Sequence, residues 1–370
     1  MELTKENYYD SPRLSQSKLK LLLGNPRAFL ETKDSDLFFE EKKHFVIGSA
    51  VDTYLTSVVD FNEKYYISHL SEKPSDVVKS ILYEVYSKVK DKISEYSAYK
   101  DLELLKQEIF DSCESHNYYK NLKQETRINK ILEFSSYWEE IVNSENKTIL
   151  SQEEAEIVSN IVRKIYSNKY TSKYFKDNSE DITILRQLPI EFELRDIECK
   201  ALLDIVYIDH KNKTITPIDL KTMGESVKNF PESLRKRRYD IQLSWYAEAL
   251  YQWKETNVFK DYEILDFKFV VASTIEEEEP IVFTCDKTLL YIGKFGRDII
   301  YQSGTFISED GEGEKDVYYN RLNKIKGFED LLDDYLYYME NGFNQDRFIR
   351  ENEDNLRLDW SGIIPPQMIR

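Results

Sequence analysis

The sequence predicts a mixed α/β (α+β) fold, with a β-sheet core flanked by helices and interrupted by a large helical insert. Three observations carry this expectation. From about residue 73 to 178, apolar residues recur every three or four positions, the period of an amphipathic helix. Near Ile182 the period changes to two, and three strand-like runs follow one another closely. A helical run from about Pro231 to Trp253 comes next, and then the β-rich run DFKFVVAST at 266–274.

Composition limits the function classes. At 370 residues and 41% hydrophobic content the chain can bury a substantial core, as one elaborate domain or two to three modest ones. No window approaches the roughly 18 apolar residues of a membrane span. The start MELTKENYYDSPRLS lacks the basic and apolar regions of a secretion signal. The expectation is a soluble cytoplasmic protein with no membrane partner. Cys113, Cys199 and Cys285 are widely spaced and without CxxC spacing, so no disulfide framework, zinc site or iron-sulphur cluster is expected, only buried thiols. The net charge of −17 excludes a broadly basic surface that holds nucleic acid by counterion release. A DNA site must then be a local basic groove; the same charge also suits an acidic DNA mimic.

Taken in order, Ser15 is a candidate N-cap for a short helix with Leu19, Leu22 and Leu23 on one face, ended by Gly24, Asn25 and Pro26. After a charged linker at about 32–43, HFVIGSAVDTYL reads as a helix. Its small residues Gly48, Ser49 and Ala50 permit close packing, and Asp52 sits among apolar neighbours. The helical insert reads as four or five helices, one of them opened by a Ser151/Glu154 capping box. His116 within it reads as a surface residue. Strands are expected at 185–194, 199–208 and 214–220. Further on, helices are expected at 286–301, capped by Asp286, and at 316–340, with a Gly/Asp/Glu loop at 308–315 and an extended tail containing Trp360 and two prolines.

The chemistry concentrates in the strands. Asp204 lies near the end of one, and Asp219-Leu220-Lys221 closes the next. Neighbouring strands lie about 4.8 Å apart, so carboxylates near their ends can converge on one hard cation. Asp219 and Lys221 share a strand face. A carboxylate-held metal beside a lysine is a recurrent arrangement for phosphodiester hydrolysis. Asp-Leu-Lys alone carries little weight in so charged a chain. Its weight comes from order: a glutamate strand with Glu191 and Glu193 on one face, then Asp204, then Asp219 and Lys221. A helix follows on which Gln242 and Tyr246, four apart, share a face. The run Arg235, Lys236, Arg237 and Arg238 is a dense basic cluster just before Gln242, suited to phosphate contacts.

These elements resemble the PD-(D/E)XK nuclease superfamily, and within it the RecB-like and exonuclease VIII-like (RecE-type) branch that carries a QxxxY helix. The resemblance extends to LSQSKLKLLLGNPRAF and IGSAVDTYL, and covers about residues 12 to 57 and 185 to 275. It implies a restriction-endonuclease-like core with a mixed central sheet. The implied segments are N-terminal helices with the first core helix at 1–68, the helical insert at 69–180, the nuclease core at 181–305, and a C-terminal helix and tail at 306–370. It further implies that Asp204, Asp219 and the Leu220 carbonyl bind Mg²⁺ or Mn²⁺, that Lys221 is catalytic, and that Gln242 and Tyr246 brace the site and touch DNA. Glu191 or Glu193 would join them, Glu191 being favoured. The branch usually carries histidine on its first core helix; here that position is Asp52, which as a hard oxygen ligand can take its place or signal altered metal preference or lost activity.

The resulting expectation is a metal-dependent deoxyribonuclease. It would be an exonuclease that processes double- or single-stranded DNA ends for recombination or repair, phage- or prophage-encoded, with a single-strand annealing recombinase as a partner and an oligomer as an option. The alternative is a catalytically weak or inactive nuclease fold that binds, scaffolds or inhibits a host protein.

Overall fold

Two thirteen-residue strands, Ile182–Leu194 and Ile197–Asp209, form the hairpin from which the main sheet is built. The turn residues Arg195 and Asp196 both have positive φ (50° and 61°), as in the type I′ turn whose twist matches the strands it joins. The computed structural model describes residues 3–33, 43–70, 73–95, 97–176, 178–301, 321–343, 357–359 and 362–364. The chain divides into two compact units, Met1–Phe45 with Ile165–Arg370, and Val46–Lys164.

In the first unit β1 (Leu14–Ser15) leads into α1 (Gln16–Lys20). The meander is β2 (Ile182–Leu194), β3 (Ile197–Asp209) and β4 (Thr214–Met223). Then come α2 (Phe230–Arg237), α3 (Tyr239–Thr256), β5 (Lys268–Ser273), β6 (Ile281–Thr284), α4 (Lys287–Phe295) and α5 (Phe328–Asn341). The sheet runs β1, β3, β4, β5, β6, with β2 also paired to β3 and the short strand Glu263–Ile264 beside β4. Pairing is antiparallel between β2 and β3, β3 and β4, and β5 and β6. It is parallel between β1 and β3 and between β4 and β5. The sheet is therefore mixed and flanked by helices, the fold class the sequence predicts. Parallel strands need a crossover, and α2 and α3 fill the one between β4 and β5.

Burial of α3 fixes the QxxxY helix. Trp245 is fully buried, its indole N–H donates to the Lys200 carbonyl of β3 (3.0 Å), and its ring packs edge-on against Phe192 (5.2 Å) and Phe328 (5.6 Å). On its other side α3 meets α4 at Gly293, where a Cβ would lie 2.0 Å from the Asp240 carbonyl. Ser244 donates to Asp240 within α3 (2.8 Å), and its Oγ is 2.7 Å from the Leu290 carbonyl of α4. Only glycine permits that approach.

Several local expectations hold in detail. Ser15 accepts from the Lys18 N–H (3.1 Å), Asp286 caps α4 through Leu289 (3.0 Å), and Ser151 and Glu154 form both hydrogen bonds of the capping box. Others are corrected. The helix expected over 231–253 is two helices, because Arg238 adopts a left-handed φ of 52° between them. The helix expected over 286–301 ends at Gly296, whose φ of 78° stops it, and Arg297–Tyr301 pairs as a strand with Arg321–Ile325. Of the helix expected over 316–340, Arg321–Ile325 is that strand instead, the helix is Phe328–Asn341, and 316–320 lie outside the described residues. Of the tail, Arg357–Asp359 and Gly362–Ile364 pair antiparallel. The loop at 308–315, Trp360, Pro365, Pro366 and most of the 32–43 linker lie outside the described residues.

The second unit is helical. Asp76–Glu95, Lys106–Ser115, Gln124–Leu132 and Ser135–Asn143 bury Ile81, Leu82, Val85, Ile109, Ile131 and Trp138 in a core of their own. A parallel pair of short strands, Tyr65–Ile67 and Thr148–Leu150, was not legible as strand; each is only three residues long. His116 is exposed, as expected, and its ring lies 3.0 Å from the Glu84 carboxylate.

Candidate active site

The ladder between β3 and β4 ends at Ile205 and Ile218. One residue further along the same register, Asp204 stands across from Asp219. There the Leu220 N–H donates to the Asp204 carboxylate (2.9 Å), which ties the two strand ends together. Asp219 is 1% exposed. It forms an ion pair with Lys221, two residues on and on the same strand face, and accepts from the Gln242 amide (2.8 Å). The same Gln242 nitrogen lies 3.2 Å from the Tyr246 hydroxyl. Helical spacing of four places both side chains toward Asp219, and Trp245 between them anchors the helix to the sheet.

Charge is closely coupled here. Burial pushes the Asp219 carboxyl above its ordinary value, against the pull of Lys221 and Lys20. Burial alone would lower Lys221, yet Asp219, Tyr239 and Asp204 outweigh it and hold the ammonium above the usual lysine range. Lys221 also lies over the Tyr239 ring (4.8 Å). Tyr246 is raised well above an ordinary phenol, by burial first and then by Asp219, Tyr8 and Asp204. The result is a desolvated carboxylate that meets a permanent cation and a neutral amide.

Lys20, at the end of α1, is a neighbour that sequence reasoning missed. Burial, then Lys221, lowers its pKa to about 8, while Asp240 and Asp219 oppose the shift. Its Nζ lies 3.4 Å from the Arg237 carbonyl. The available signal was a lysine immediately before the apolar run Leu21-Leu22-Leu23.

Glu191 and Glu193 lie four and six residues along β2 from position 187, which faces Asp204. Glu191 is paired with Arg13 (3.0 Å) and stands opposite Lys200, while Glu193 stands opposite Glu198. Lys200 is itself fully buried, its ammonium held by the Tyr8 and Ser11 carbonyls (2.8 Å each). Arg235, Lys236 and Arg237 are exposed at the end of α2. Arg238 instead binds the buried Asp240 through two nitrogens (3.0 and 2.8 Å) and reaches the Lys326 carbonyl (2.5 Å). Gln242 and Tyr246 are both buried. Asp52 belongs to the other unit, half-buried on the helix Lys43–Thr56, where its carbonyl accepts from the Thr56 hydroxyl (2.8 Å).

Asp204, Asp219 and a main-chain carbonyl are hard oxygen donors. They fit Mg²⁺ or Mn²⁺, since Mg²⁺ commonly takes one or two carboxylates and keeps several waters. Among the described residues no group of three or more His, Cys, Asp or Glu side chains is placed to hold a metal.

No protein-family model and no curated protein match the chain. Among solved structures it is similar to a candidate exonuclease from Eubacterium rectale. The two are 15% identical with a TM-score of 0.40, over 79% of this chain and 80% of that one. No helix among the described residues is long and apolar enough to cross a membrane.

Proposed function

We propose that this protein is a Mg²⁺- or Mn²⁺-dependent DNA nuclease of the PD-(D/E)XK type that trims DNA ends as an exonuclease in recombination or repair. The observation that carries the reading is the convergence on Asp219: Asp204 across the strand pair, Lys221 on the same strand, and Gln242 from the helix behind. Asp204 and Asp219, with the Leu220 carbonyl, would hold the cation. Bound there, it would supply Lewis-acid polarisation of a phosphodiester and an acidified water. Lys221 orients that water or offsets charge on the phosphate as it is attacked. Gln242 keeps Asp219 in one rotamer, and Tyr246 backs Gln242. The exposed Arg235, Lys236 and Arg237 supply phosphate contacts.

The test is hydrolysis of linear duplex and single-stranded DNA with Mg²⁺ or Mn²⁺. Asp219→Ala and Lys221→Ala are expected to lose activity while remaining folded. A wild type inert on both substrates with both metals overturns the proposal. Among the described residues no third carboxylate, thiol or imidazole joins Asp204 and Asp219, which favours a second reading, a nuclease fold that binds without cutting. DNA binding without hydrolysis in the same assay would establish it.

A further inference from the structure

We infer that Gln187 is a positioning residue of the cation site, holding Asp204 for ligation. This rests on the nuclease reading above and adds a residue that the motif does not contain. Gln187 lies in the interior of β2 with a φ of 49°, in the left-handed region. Glycine, asparagine and aspartate visit that region readily; glutamine in mid-strand does not. An inserted residue would explain the distortion as a bulge, but there is none. Arg186 pairs with Ile205 and Leu188 with Leu203, so the register is the same on both sides and the ladder skips a single position.

The skipped partner of Gln187 is Asp204. The rung therefore runs Gln187, Asp204, Asp219 across β2, β3 and β4, and the backbone departs from regular strand beside the carboxylate that departs from the ladder to take the Leu220 N–H. Burial shows the same break. Ile184, Ile190, Phe192 and Leu194 alternate as buried residues, yet the polar Gln187 is 9% exposed while the apolar Leu188 is only half-buried. A strained backbone that buries an amide next to a candidate ligand is a costly arrangement for a sheet to keep without a role.

The chemistry suits that role. A carboxamide can donate to a carboxylate and fix its orientation without adding a third negative charge to a rung where Asp219 is already desolvated. Partners of this kind around metal ligands typically change affinity 10- to 100-fold when removed.

The experiment is Mn²⁺ titration of the full chain, followed by electron paramagnetic resonance, at a temperature where all variants are folded. Wild type is compared with Asp219→Asn, Gln187→Gly and Gln187→Asn. Gln187→Gly accepts the left-handed backbone and removes the amide. It is expected to melt no lower than wild type yet bind Mn²⁺ about 10-fold more weakly or worse. Gln187→Asn, which tolerates the same backbone and keeps an amide, is expected to recover part of that affinity. Mn²⁺ binding by Gln187→Gly within about twofold of wild type overturns the role of Gln187 and leaves the cation site standing. Wild-type binding no tighter than that of Asp219→Asn overturns the cation site, and the positioning role with it.

Discussion

Replacing Gln242 with methionine tests whether the QxxxY helix braces Asp219. Methionine has the same reach and nearly the same bulk, so the change removes the amide without opening a cavity. What is lost is one 2.8 Å hydrogen bond to a carboxylate that is 1% exposed, together with the 3.2 Å contact to the Tyr246 hydroxyl. A hydrogen bond to a charged group contributes about 1.5–3 kcal/mol, and here water cannot replace the missing donor. The expected loss is about 2 kcal/mol, or roughly 4 to 8 °C in the melting temperature of a unit of this size. Differential scanning calorimetry is the suitable assay, because the two units give separate transitions if they unfold independently. A double-mutant cycle with Asp219→Asn is expected to give a coupling of about 1 kcal/mol or more. A Gln242→Met variant within about 0.5 kcal/mol of wild type, or a coupling near zero, would refute the bracing role.

Three further outcomes follow from groups away from the site. Glu84 is held at a pKa of about 2 by hydrogen bonds from Lys88 and Ser115, so its contribution is present above its ordinary value near 4.5 and lost as pH falls toward 2. Discounted for its solvent exposure, Glu84→Gln is expected to cost about 1 kcal/mol at pH 7 and nothing at pH 2, read by acid-dependent urea unfolding. The three cysteines are buried, and burial pushes the Cys199 and Cys285 thiols up to about 12. Native protein at pH 8 is expected to leave all three unreactive to a thiol-disulfide reagent over minutes, and to titrate three once unfolded. Lys200→Met removes the ammonium that binds the Tyr8 and Ser11 carbonyls. It is expected to cost about 2–3 kcal/mol and to expose the N-terminal segment to limited proteolysis; wild-type resistance to protease would refute that anchoring.

The sequence by itself determined the fold class, because hydrophobic period separates strand from helix without knowledge of partners. The shift from three-and-four spacing to alternation near Ile182 marks where the sheet begins. Caps at Ser15, Ser151 and Asp286 were legible for the same reason, since each bond closes within four residues. Helix ends at Arg238 and Gly296 were not, because a single left-handed residue breaks the chain there without disturbing the periodicity. The candidate site divides along the same line. Asp204, Asp219, Lys221, Gln242 and Tyr246 lie on elements whose order and spacing are local, and so could be named together. Tertiary structure alone decided what surrounds them. It placed Lys20 beside Lys221, gave Glu191 to Arg13, committed Arg238 to Asp240, and set Gln187 rather than a glutamate on the rung of Asp204. Each of these depends on strand register or on contacts distant in sequence, and neither periodicity nor composition encodes a register until two strands have met.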